Sequence, residues 1–250
     1  MTRLGMASAR AALLFALLAA WEFLPRSGLM NPELLPPLSE VLTTLWKLLQ
    51  RSNVHAAIGV TMAEVAVAFL IAIPLGTLLG VLIAERPYLA DIFKPLLFYV
   101  FSIPKSVFLP MFILVFGINF AQKVAYAAFT TTFVVIMSAA ACVESVKTEY
   151  IEVARSCGAS RTQLILRVYV PSMLPMLLET IRISMIFNFT AVMIAEMYAS
   201  RTGIGHLIAN WGENFQMPQL FAGIVLLSMI AIFFNESVRW LEERCSNWRT

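Results

Sequence analysis

Apolar residues in this chain fall into long continuous runs rather than alternating with polar ones. Most of the runs reach the roughly 20 residues that a helix needs to cross about 30 Å of hydrocarbon. Six spans are predicted on that basis: Met6–Leu24, Val54–Ala84, Ile92–Gly117, Ala121–Val146, Ser172–Ala199 and Gln219–Leu241. The third is interrupted at Ser102–Lys105, SIPK, where Pro104 removes a backbone donor and Lys105 sets a charge at membrane depth. Such a break has to face protein or water, because lipid cannot satisfy the freed backbone groups. Between the first two spans, NPELLPPLSEV leads to Ser39, an N-cap residue ahead of a helix over Glu40–Leu49. That helix is expected to lie along the membrane surface. The pattern predicts an all-α, polytopic membrane protein.

Composition supports the same solvent. Hydrophobic residues make up 60% of the 250, charged residues 13%, and the mean hydropathy is +0.80. The net charge of +3 is small and its basic residues are dispersed, so no nucleic-acid partner is indicated. Cys142, Cys157 and Cys245 lie far apart, which suggests neither a disulfide framework nor a metal site. The first apolar run follows Arg3 and Arg10 and resembles a signal peptide, yet no clear small-x-small cleavage motif precedes Trp21–Pro25; it is read as a retained helix.

Orientation follows from lysine and arginine. With both ends inside, 11 of the 18 basic residues fall on the cytoplasmic side: Arg3, Arg10, Arg86, Lys94, Lys147, Arg155, Arg161, Arg167, Arg239, Arg244 and Arg249. Arg26, Lys47, Arg51, Lys123 and Arg201 fall outside, and Lys105 and Arg182 stand within spans. This topology places EVARSCGASRTQLILRVYVP, Glu152–Pro171, in the cytoplasm between the fourth and fifth spans.

That stretch encodes helix, turn, helix. Thr148 is expected to cap a short helix over Glu149–Cys157, and Gly158 stands where a helix end favours positive φ. Ser160 with Gln163 forms a capping box for a second helix, which Pro171 is expected to end. The first helix would present Tyr150, Ile151, Ala154 and Arg155 to the groove of a soluble partner. A loop that merely joins two spans is the alternative.

Glu152, Ala154, Gly158, Val168, Val170 and Pro171 match the spacing of the EAA loop of ABC importer permeases, with valine at three positions where the motif has alanine, isoleucine and leucine. Ser102–Val124, SIPKSVFLPMFILVFGINFAQKV, and Val192–Ile208, VMIAEMYASRTGIGHLI, are similar to two further segments of the nitrate, sulfonate, taurine and bicarbonate branch. One stretch departs from the branch: Glu179–Arg182 reads ETIR where many members carry T-G-L-R. The resemblance implies a type I importer permease with six transmembrane helices in a single domain over 1–250. Within it, 1–53 would hold the first span and the surface segment, 54–241 the core bundle and 147–171 the coupling loop.

The resemblance also implies the machinery around the chain. No G-x-x-x-x-G-K-[ST] phosphate loop occurs, so the chain is expected to be no enzyme and to bind no cofactor. ATP and Mg would be used by two partner ATP-binding cassette subunits. These would grip Glu149, Tyr150, Ile151, Glu152, Ala154, Arg155, Gly158 and Ala159. A second permease copy would complete the path, and a periplasmic or lipid-tethered solute-binding protein would deliver a small anion such as a sulfonate, taurine or nitrate. The setting would be the bacterial inner membrane, with both termini cytoplasmic.

Polar residues inside spans are the candidates for the path: Thr61, Glu64, Ser102, Lys105, Asn188, Thr190 and Glu196. For Asn188 and Thr190, bonding between helices competes with substrate contact. Lys105 has three readings: attracting an anion, snorkelling, or pairing with Glu64. Gly203 and Gly205 are expected to make tight turns in an outer gate loop. Protease chemistry finds no support, since Asp91 is the sole aspartate and neither His55 nor His206 begins H-E-x-x-H. A secondary transporter or channel is the serious rival, but the two halves show no convincing inverted repeat.

Overall fold

The computed structural model describes residues 3–246, with side chains at 8–160, 162–237 and 239–240. Arg249 lies outside the described residues, as do the side chains of Arg3, Arg161, Arg244 and Cys245. The described chain is helical without strands. In order come α1 (Arg3–Arg26), α2 (Leu38–Leu48), α3 (Ser52–Ala84), α4 (Pro87–Ser102), a 3-10 turn (Lys105–Phe108) leading into α5 (Leu109–Phe116), and α6 (Phe120–Glu144). Then follow α7 (Thr148–Ser156), α8 (Arg161–Leu164), a π turn (Ile165–Tyr169), α9 (Val170–Tyr198), α10 (Ile204–Glu213) and α11 (Met217–Ser246). Among the described residues, 5 helices are long and apolar enough to cross a membrane, or 6 if the pair bent by 84° at Ile103–Pro104 counts as one span. The break predicted at SIPK is therefore where the chain turns.

The chain divides into two compact units, residues 1–60 with 202–230 and residues 61–201 with 231–250. In the first, α2 buries Val41, Leu45 and Leu48, which recur at the spacing of one helix face, and leaves Leu42 and Trp46 exposed. Ser39 does not cap this helix as expected. Pro37 takes that position, and Ser39 instead gives its main-chain N–H and hydroxyl to the Glu22 carboxylate, at 2.9 and 3.0 Å. In this unit, Gly203, one of the two expected turn glycines, takes a positive φ of 103° just before α10, but Gly205 lies within α10, so the predicted outer loop is largely a helix.

The second unit holds the candidate sites. Its core gathers Val65 and Ala68 of α3, Phe112 of α5, Tyr126 and Ala127 of α6, and Val192 and Ala195 of α9. Gly76 and Gly80, one turn apart on α3, let this helix close on α6. A Cβ on Gly80 would stand 2.6 Å from the Ile136 carbonyl oxygen and 2.7 Å from Ala139 Cβ, and one on Gly76 would stand 2.6 Å from Val135 Cβ. Membrane helices lack a hydrophobic drive to associate, so close approach through small residues is a main source of cohesion. Gly80→Val is expected to cost about 1–3 kcal/mol as an overpacked contact, read as a lower thermal midpoint in detergent. Gly59→Ala, which meets nothing within 4 Å, should not lower the midpoint and should raise it slightly through alanine's better helix propensity.

Pro171 does not end a helix. The chain runs on through the π turn into α9, whose first turn holds Pro171. Proline lacks an N–H and its ring crowds the carbonyl four residues back; widening the preceding turn accommodates both without a break.

Candidate functional site

α7 is an exposed helix with a defined end. Lys147, not Thr148, takes its N-cap position, and the Lys147 ammonium lies 5.9 Å from the Tyr150 ring centre. At the other end the Gly158 N–H reaches the Arg155 carbonyl at 2.9 Å, and the Ala159 N–H reaches that of Ala154 at 3.0 Å. With Gly158 at a φ of 75°, these two bonds form a Schellman cap, which satisfies the last carbonyls of a helix too short to hold itself. The predicted capping box follows: the Ser160 N–H donates to Gln163 Oε1 at 2.9 Å and the Gln163 N–H to Ser160 Oγ at 3.3 Å.

The helix is anchored by one face. Ile151 and Ala154 pack against a cluster of Cys142, Val143, Val146, Leu164, Tyr169 and Met173. These two were expected on the partner-facing side; their spacing turns them inward. The outward face carries Tyr150, 51% exposed, and Val153, 63% exposed, flanked by the exposed charges of Glu149, Glu152 and Arg155. Val153 escaped sequence reasoning because the motif has alanine there, although an apolar residue one helical face away from Ile151 was a usable signal. Ala159 and Arg155 border a hollow of about 480 Å³ shared with Arg86, Tyr88 and Leu164.

At the break, Lys105 curls back onto the end of α4. Its Nζ donates to the carbonyl oxygens of Val100, Phe101 and Ile103 at 2.9, 2.6 and 2.9 Å. Nζ also lies 4.9 Å from the ring centre of Phe101 and 6.0 Å from that of Phe133. A cavity of about 270 Å³ opens beside it, bordered by Ser102, Pro104, Thr130 and Phe187. Ser102 is exposed and donates its hydroxyl to the Phe98 carbonyl at 2.9 Å. Thr190, also exposed, donates to its own helix at the Ile186 carbonyl, 2.8 Å, and borders a separate cavity of about 190 Å³ with Phe234 and Asn235.

The other intramembrane candidates are buried between helices. Gly117, at a φ of 73°, ends α5, and the Asn119 side chain accepts the Gln122 N–H at 3.0 Å to start α6. This stop and restart puts Lys123 in the first turn of α6, 2% exposed and ion-paired with the fully buried Glu64 of α3. The pairing of Glu64 with Lys105 does not form: Glu64 meets Lys123, and Lys105 bonds the end of α4. Lys123 Nζ also donates to Ser200 Oγ at 3.0 Å, while Thr61 Oγ1 donates to Glu196 Oε1 at 2.7 Å. Two turns along α9, Asn188 Nδ2 donates to the Val65 carbonyl at 2.8 Å and its Oδ1 accepts from Thr131 Oγ1 at 3.2 Å. Glu64, Asn188 and Glu196 are thus interhelical bonds among α3, α6 and α9. Ser102, Lys105 and Thr190 border open space.

A family profile described as "Binding-protein-dependent transport system inner membrane component" matches residues 72–247. The taurine transport system permease protein TauC of Escherichia coli strain K12 is 27% identical over 240 residues, covering 94% of this chain and 87% of TauC. The formylaminopyrimidine transport permease protein ThiX of Halalkalibacterium halodurans is 29% identical over 234 residues, covering 93% and 92%. Among solved structures, a chain of a bacterial ABC transporter involved in the import of the acidic polysaccharide alginate superposes with a TM-score of 0.68 at 16% identity, over 98% of this chain and 100% of that one. That likeness concerns the fold, which is that of type I importer permeases. The family model spans most of the described helices, and the chain belongs to the binding-protein-dependent transport system inner membrane components, as a permease subunit of an ABC importer.

Proposed function

We infer that this permease works in the bacterial inner membrane, with both termini in the cytoplasm, as half of a path completed by a second copy of the chain. Two separate ATPase subunits, which use ATP and Mg, dock on α7. A solute-binding protein delivers the substrate from outside. The observation that carries this reading is α7 itself: an exposed helix that displays Tyr150 and Val153 while Ile151 and Ala154 fix it to the bundle. A pull on a helix so anchored moves the ends of α6 and α9 with it, as a rigid-body switch requires.

The substrate class we assign is a small anion of the sulfonate or taurine kind. The name of the taurine relative supports it, as does the cation of Lys105 at membrane depth. The path runs past Ser102 and Lys105, and the segment around Gly203 and Gly205 acts as an outer gate. Affinity capture of the tagged chain from its native membrane, beside a variant lacking Glu149–Ser160, tests the assembly. Capture of an ATP-binding subunit by the intact chain alone, both proteins being inserted, is the expected result. An intact chain that brings down no ATPase in several mild detergents would overturn the reading.

A further inference from the structure

The break in the third span is a cage of main-chain oxygens with a cation tethered inside it. Three carbonyls, those of Val100, Phe101 and Ile103, converge on one point at 2.6–2.9 Å. Two of them belong to the last turn of α4, whose terminal carbonyls together carry the roughly half negative charge of the helix macrodipole. Left empty at membrane depth, such a set would hold a cation or water, as rings of carbonyl oxygens do in cation-selective pores.

Here the point is filled by Lys105 Nζ, whose three protons match the three oxygens one to one. No proton is left for a substrate oxygen. The side chain therefore does not grasp a ligand; it reverses the sign of the local field. One full positive charge against roughly half a negative one leaves the cavity wall net positive. The 270 Å³ cavity it borders is otherwise apolar or weakly polar, with Phe101, Pro104 and Phe187 beside Ser102 and Thr130. A wall of that kind favours an anion in transit without binding it tightly, and passage requires such weak attraction.

We propose that Lys105 is a charge-selecting residue of the transport path: a tethered cation that converts a cation-binding carbonyl cage into a gateway for small anions. This rests on the importer reading and supplies the physical basis for its substrate class. The experiment reads the field without needing transport. Ser102→Cys is placed in the full complex in membrane vesicles, and its modification by a negatively charged sulfonatoethyl and a positively charged trimethylammonium methanethiosulfonate reagent is timed. The mass of the peptide carrying residue 102 is the readout, so the native cysteines do not interfere.

The anion-to-cation rate ratio at residue 102 should exceed that at Tyr150→Cys, which lies on exposed α7. It should fall at least about tenfold in Lys105→Gln, which keeps a hydrogen-bonding side chain without the charge, and persist in Lys105→Arg. A ratio unchanged in Lys105→Gln would reduce Lys105 to a helix cap and overturn the proposal. So would a ratio in the otherwise native chain that favours the cationic reagent, a comparison that holds even where Lys105→Gln fails to fold. Either result leaves the importer reading standing. A Lys105-dependent ratio in a complex that imports only neutral or cationic solutes would instead overturn the anion assignment.

Discussion

Lys123→Met is expected to lower the thermal midpoint of the purified chain by about 10 °C. The ammonium is 2% exposed and pairs with a Glu64 carboxylate that is fully buried, so no water waits to replace it. Removing one partner of a buried ion pair strands the other, at a cost of about 3–5 kcal/mol. In a domain of this size that corresponds to a shift on the order of 10 °C. The Ser200 hydroxyl loses its contact with the same group. Double replacement, Lys123→Met with Glu64→Leu, is expected to recover most of the loss, because a matched apolar pair carries no stranded charge. Transport by the double variant separates two roles. Recovery of both stability and uptake makes the pair an interhelical staple; recovery of stability alone puts Glu64 in the path. A native midpoint for Lys123→Met would show that the pair contributes nothing to cohesion.

What the sequence disclosed and what it concealed divide along a physical line. The bend at SIPK, the αL glycine at 158 and the Ser160–Gln163 box are matters of neighbouring residues, and each was legible because proline, glycine and capping side chains act within one turn. The pairing of Glu64 with Lys123 and of Thr61 with Glu196 depends on how three helices rotate against one another; the latter two residues stand 135 positions apart. A lysine one turn into a membrane helix looks like an interfacial anchor until a buried acid is seen across from it. The same limit misplaced Ile151 and Ala154, whose spacing gives a face but not its direction. Pro171 misled for a different reason: a helix can widen its turn around a proline instead of ending, and this depends on backbone packing that no local pattern records. Gly76 and Gly80 drew no reading from the sequence, because small residues four apart mark a packing face only once the helix they meet is known, and that helix is α6.

Gly158→Val is expected to abolish coupled transport while leaving insertion into the membrane unchanged. Steric room is not the reason, since a Cβ at this position would meet nothing within 4 Å of the chain. The constraint is the backbone, held at a φ of 75° where a β-branched residue is disfavoured. Strain of this sort costs about 1–3 kcal/mol. That is small against a whole bundle but comparable to what holds a nine-residue helix closed by a single cap. Valine relieves the strain by leaving the αL region, which breaks the bonds from Gly158 to Arg155 and from Ala159 to Ala154 and releases the end of α7. Asparagine, which tolerates αL, should retain most of the activity, and alanine should fall between the two. That order, asparagine above alanine above valine, separates a conformational requirement from a steric one. If instead the three variants ranked by side-chain volume, with alanine above asparagine and asparagine above valine, the space around Gly158 would have to be filled by a docked partner, and the glycine would serve the interface instead of the helix end.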